Sequence, residues 1–183
     1  MSAQPFWFAL LGAHIVQPGP APAGDGAHDF DFVHGQWHIH NRRLKARLNG
    51  CQEWLEFEAH SLSTPLPGGL GNQEIWQTEF WPDFVGMALR FYNPETRLWS
   101  IYWVDNTGAP GVLQPPVTGR FQEGVGIFEG DDIFAGQAIR VRFIWTHIDP
   151  DHARWEQAFS ADQGTTWETN WVMAFTRQNE TGQ

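Results

Sequence analysis

The sequence predicts an all-β fold, a single antiparallel β-barrel of about eight to ten strands. Three observations predict it. Apolar and polar residues alternate in many short runs, the period of a half-buried strand and not of a helix. Clusters of Gly, Pro, Asn and Asp separate these runs. No segment carries an apolar stripe at 3.6-residue spacing. The 183 residues suffice for one domain with a real core. Residues 1–28 are read as an arm and linker, and residues 29–183 as the barrel domain.

The elements follow in order. Residues 6–16 form a short apolar run that is too short to span a bilayer. No Lys or Arg precedes Arg42, so the positive region of a secretory signal is missing and a cytoplasmic location is expected. A Pro/Gly/Ala-rich linker, 17–26, comes next. Gly35-Gln36-Trp37 opens the first strand. Trp37, Ile39 and Asn41 share one face, and His38, His40 and Arg42 the other. Asn49-Gly50 marks a hairpin to a second strand in 51–63. The loop 64–72 holds three closely spaced glycines. No helix follows, so it reads as a conformationally special loop rather than a phosphate cradle. Strands are then expected over 73–80, 86–92, 98–104, 119–122 and 126–129.

Residues 139–177 give the clearest pattern. Ile139, Val141, Phe143, Trp145 and His147 share a face, as do Trp155, Gln157 and Phe159, then Trp167, Thr169, Trp171, Met173 and Phe175. Arg140, Arg142, Arg154, Glu156 and Glu168 fall opposite. A register pairing Arg142 with Glu156 also pairs Val141 with Gln157. The next hairpin then pairs Phe159 with Trp167, Gln157 with Thr169 and Trp155 with Trp171, and the apolar face stays continuous. Ser160-Ala161-Asp162-Gln163-Gly164-Thr165-Thr166-Trp167 resembles the Asp-box hairpin of sialidases. There is one copy and no internal repeat, so a propeller is excluded and Asp162 is expected to be a turn residue.

Composition narrows the function. Eleven Trp and fourteen Phe stand against two Tyr, a load that suits strands and the walls of a ligand cavity. A net charge of −10 argues against nucleic acid and anionic membrane as partners. It leaves a homodimer open. Cys51 is the single cysteine, so there is no internal disulfide, and it is read as a bystander thiol.

Gly35-x-Trp37 on the first strand and Arg177 after the last resemble the lipocalin/calycin barrel. The resemblance implies that Trp37 plugs the closed end and Arg177 packs across it. Longer runs are similar to a bacterial family of uncharacterised lipocalin-like proteins, the DUF1579-like group. They are Asp31 through Trp37, Gly68 through Asn72, Leu98 through Trp103, Arg154 through Ser160 and Trp167 through Trp171. That likeness covers about residues 29–177. It implies the fold and carries no reaction.

With the aromatic face inward, the lumen holds a few polar groups: Asn41, His147, Gln157 and Thr169, with Arg43 beside them. An apolar cavity with a few convergent polar groups is the usual form of a small-molecule site. The expected ligand-binding set is Asn41, Trp103, Phe143, Trp155, Gln157, Thr169 and Trp171. His38 and His40 share the outer face and could ligate a metal, but no carboxylate follows at cupin spacing, so no metal is expected. His147 is the candidate for acid–base chemistry, or for an axial haem ligand if the barrel resembles the nitrobindin type; no cofactor is otherwise expected. The first function reading is binding of a small hydrophobic or aromatic molecule. The second is an enzyme on the same scaffold, an isomerase, cyclase or hydrolase of a small hydrophobic metabolite. Haem binding is the third.

Overall fold

The computed structural model describes residues 24–107 and 109–178. The apolar run 6–16 and most of the linker lie outside them. Ten strands follow one another: β1 (Gly35–Leu44), β2 (Trp54–Pro65), β3 (Gly71–Gln77), β4 (Val85–Asn93), β5 (Leu98–Asp105), β6 (Val117–Gln122), β7 (Val125–Phe134), β8 (Gln137–Asp149), β9 (His152–Ser160) and β10 (Glu168–Arg177). Each pairs antiparallel with the next, and β1 pairs with β10, so the sheet closes into a barrel without edges. The alternation read from sequence is the cause. On β1, Trp37, Ile39 and Asn41 are buried between outward residues.

The two ends of the barrel differ. At one end a 3-10 turn, Asp31–Val33, delivers Phe30 and Val33 into the core. The Phe30 ring meets Trp99, Phe121 and Trp145 edge-on at 5.0, 4.9 and 5.9 Å. Beside it, Trp37 Nε1 donates to the Val33 carbonyl at 2.7 Å. The Arg177 guanidinium lies 4.2 Å from the Trp37 ring and donates to the carbonyls of His34 and Phe32. The expected plug and its cover are both present. At the other end the loops 45–53 and 78–84, residues 106–107 and 109–116, and the turn at Ala135-Gly136 frame an opening.

Glycine matters at two positions. Gly71, at φ 140°, lets the end of the 64–72 loop pass against the Arg90 carbonyl, where a Cβ would collide with backbone. At Gly86 a Cβ would occupy the space of the Trp103 indole, so this glycine makes room for that ring in the lumen.

The hairpin registers of the C-terminal meander differ from expectation, while its faces hold except on the turn side of a bulge in β10. Val141 pairs with Phe159 and Phe143 with Gln157, two residues further along than expected. A two-residue shift preserves which side chains face inward. It also separates Arg142 from Glu156. Arg142 pairs instead with Glu129 at 2.7 Å, and Glu156 with Arg154 at 2.9 Å, all on the outer wall. Between β9 and β10 a bulge lies between Thr169 and Trp171. Before it, Thr169 pairs with Ala158; after it, Trp171 pairs with Gln157. The inserted residue is Asn170, and it flips the parity of everything on its turn side.

The turn beyond the bulge forms as its sequence implies. Asp162 accepts from the Thr166 N–H at 2.8 Å, from the Thr166 hydroxyl at 2.6 Å and from the Ser160 hydroxyl at 2.7 Å. Gly164 takes φ 89°, and Trp167 Nε1 donates to its carbonyl at 3.0 Å. Asp162 is thus a turn residue.

Candidate functional site

The lumen encloses a cavity of about 710 Å³ that reaches from Trp145 and Phe175, near the plug, to the open end. Its walls are aromatic because parity places the indoles of several strands inward together. Trp155 and Trp171 meet edge-on at 5.8 Å, and Phe143 meets Trp155 at 4.9 Å. Trp76 of β3 faces Trp171 at 6.2 Å. Trp81, from the 78–84 loop, closes over the same group at 6.1 Å from Trp171. These perpendicular arrangements suit the ring quadrupoles and fix each indole against its neighbour.

Polar groups break this wall in distinct places. Deep in the lumen, Arg90 is 1 % exposed. It donates to Asn72 Oδ1 at 3.0 Å and pairs with the Glu74 carboxylate. Its guanidinium also sits 5.3 Å from the Phe30 ring. A buried ion pair survives only when each charge is compensated in this way. Higher up, Gln157 Nε2 donates to Asn170 Oδ1 at 2.8 Å, while Asn170 Nδ2 is buried without a partner. Nearer the opening stand Arg43 on β1 and Arg47 in the 45–53 loop. Burial lowers the Arg43 pKa. Burial, and then the charge of Arg43, lower that of Arg47 to about 10. On another part of the rim, burial acts to raise the Asp105 pKa, but hydrogen bonds from Thr107 and from Trp103 Nε1 outweigh it and hold the carboxyl below its ordinary value.

Of the residues singled out in the sequence, Trp103, Phe143, Trp155, Gln157 and Trp171 line the cavity. Asn41 is fully buried behind it and accepts the Trp171 indole N–H at 3.0 Å, so it orients that ring. Thr169 does not belong to the set: the bulge turns it to the exposed side, and Asn170 takes its place beside Gln157. His147 does not reach the cavity either. It is exposed at the closed end and stacks on Phe32 at 4.7 Å, because β8 runs its last residues past the plug. It is not among the residues that line the cavity. His38 and His40 lie on the outer face within 3.1 and 2.8 Å of Glu58. Among the described residues no three His, Cys, Asp or Glu side chains are arranged to hold a metal ion.

The sequence reasoning missed Glu74, Arg90, Arg47, Trp76 and Trp81. A signal existed for the first two. Glu74 shares parity with Trp76, and Arg90 with Ala88, so an inward Trp76 implies an inward carboxylate two residues away.

No family model and no curated protein matches this chain. Among solved structures it is similar to an S-type phycobiliprotein lyase from Guillardia theta, with 12 % sequence identity and a TM-score of 0.52. The match covers 83 % of this chain and 92 % of that one. At this identity the likeness speaks for the architecture alone: the chain folds as a lipocalin-like, closed antiparallel barrel of ten strands.

Proposed function

We propose that this protein binds a small aromatic or hydrophobic molecule in the barrel lumen. One observation carries the reading: a cavity of about 710 Å³, closed at one end and walled by indoles on several strands. Such a volume is within the range of sites that enclose a metabolite-sized ligand, of order 300–1,000 Å³. The enzyme alternative is weaker. Glu74, the carboxylate deepest in the lumen, is committed to Arg90, and no His, Cys or Ser lines the cavity among the described residues. The lyase to which the fold is similar works on phycobiliproteins. The likeness to the DUF1579-like group belongs to the same proposal and rests on the motifs quoted for it. No helix among the described residues is long and apolar enough to cross a membrane.

The test is titration with N-phenyl-1-naphthylamine, an uncharged aromatic probe, followed by tryptophan quenching and native mass spectrometry. One probe per chain with quenched indole emission is expected. Unchanged emission and no bound mass, with this probe and with a panel of flat apolar compounds, would overturn the reading.

A further inference from the structure

We propose that Arg43 and Arg47 form the anion-binding end of this cavity and that the ligand is a flat aromatic acid, its carboxylate held by these guanidiniums and its rings among the indoles. The inference rests on the lumenal binding reading above and names the class of ligand.

The argument is a comparison of three arginines in one cavity. Arg90 is charge-paired: Glu74 and Asn72 take its two terminal nitrogens, and only its Nε is left buried without a partner. Neither Arg43 nor Arg47 forms an ion pair or donates a side-chain hydrogen bond among the described residues, and the Arg43 Nε is buried with no partner. Both are held by ring faces instead. The Arg43 guanidinium lies 5.2 Å from Trp81 and 5.0 Å from Trp171, and that of Arg47 lies 4.5 Å from Phe134 and 5.4 Å from Phe159. A guanidinium stacked on a ring keeps its N–H donors in its own plane, free for a planar acceptor.

The nearby acids are already engaged. Glu168 accepts the Leu48 N–H at 2.8 Å. Asp105 accepts from Trp103 at 2.9 Å and from Thr107 at 2.7 Å. Asp131 lies 3.5 Å from Arg140, and Asp132 accepts the Ile133 N–H at 2.7 Å. Among the described residues neither guanidinium has an ion-pair contact: the Glu168 charge favours the charged form of Arg47 from a distance, and Arg43 has no such partner. Burial disfavours the charged form of both, and the Arg43 charge adds to this at Arg47 against the opposing Glu168 carboxylate. A carboxylate entering with an aromatic body removes the conflict. It offers a fork that matches a guanidinium, while its rings meet Trp171 and Trp81 below.

The experiment uses the full chain and a matched pair of probes, 1-pyrenebutyric acid and its methyl ester, with energy transfer from tryptophan as readout. The acid is expected to bind about 10–100-fold tighter than the ester, the worth of a charge-assisted hydrogen bond. Arg43→Gln should remove that preference, and Arg47→Gln should reduce it. Arg42→Gln, which removes an outer-face charge paired with Glu56 at 3.3 Å, should leave the preference intact. Equal binding of acid and ester by the wild type overturns the anion site and leaves the lumenal reading standing. A preference that survives both Arg43→Gln and Arg47→Gln overturns it too. Binding of neither probe overturns the anion site, and together with no response to N-phenyl-1-naphthylamine and the apolar panel it overturns the lumenal reading as well. The comparison of the two probes on the wild-type chain needs no variant to fold.

Discussion

Phe30 is the centre of the closed end, and Phe30→Ala is the most informative perturbation of the fold. Its ring is 0 % exposed. It contacts Trp99, Phe121 and Trp145 edge-on and lies stacked on Phe128 at 5.4 Å and Phe32 at 6.1 Å. Truncating a buried Phe costs about 3–5 kcal/mol, with the value set by how far the site can collapse. Collapse is restrained here. Trp99 is anchored by its Nε1 to the Gly26 carbonyl at 2.8 Å, and the strands carrying Phe128 and Trp145 are hydrogen-bonded neighbours in a closed ring. Arg90 also loses an aromatic face 5.3 Å away, an interaction of about 0.5–2 kcal/mol. The upper half of the range is therefore expected, about 4–5 kcal/mol. For a domain of this size that lowers the melting temperature by about 10–15 °C. Differential scanning calorimetry reads it directly, with Ile133→Ala, at a site 71 % exposed, as the comparison. A loss no greater than that of Ile133→Ala would show that the plug does not hold the barrel together.

Three further outcomes follow from the same geometry. Glu74→Ala should cost about 3–5 kcal/mol in urea unfolding, because it strands the buried Arg90 charge, and Glu74→Leu with Arg90→Met should recover most of it; a single variant as stable as wild type would contradict this. Gln157→Leu should cost about 1–3 kcal/mol by leaving buried Asn170 Oδ1 without its donor, and should weaken ligands with a polar substituent more than apolar ones in fluorescence titration. Asp162 should titrate near pH 2 by carboxyl NMR: the Thr166 hydroxyl, then the Thr166 N–H and the Ser160 hydroxyl, hold its pKa at about 2, below the ordinary 3.8. Because the folded value is the depressed one, this contribution to stability is present above pH 3.8 and is lost as the pH falls toward 2. A midpoint at the ordinary value, or Asp162→Asn melting with the same acid dependence as wild type, would remove the cap from the account.

The fold was legible because alternation, turn chemistry and the Gly35-x-Trp37 plug all point one way. Parity put Trp103, Phe143, Trp155, Gln157 and Trp171 on the lumenal side without knowledge of register, since a shift of two residues leaves faces unchanged. Thr169 shows where that reasoning stops. A bulge adds one residue, nothing in Glu168-Thr169-Asn170-Trp171 announces it, and side chains beyond it exchange faces. Arg47, Trp81 and His147 failed for another reason. Loops and strand ends have no period, so neither the reach of Arg47 and Trp81 over the opening nor the stacking of His147 on Phe32 follows from spacing. Glu74 and Arg90 were within reach of parity but look like surface charges when read one residue at a time.

The β1–β10 seam brings together the two ends of the described chain. Every other strand pairing joins sequence neighbours, so the sheet can grow hairpin by hairpin as the chain emerges from a ribosome. The seam cannot. Arg177 binds the carbonyls of Phe32 and His34, and the Gln178 N–H donates to Gln36 at 2.9 Å, across nearly the whole length of the domain. Until the final strand arrives, the first lacks one neighbour and the lumen is an open trough. A nascent or truncated chain ending before β10 thus exposes its row of indoles to the cell. The enclosed lumen arrives all at once, with the last ten residues of sheet.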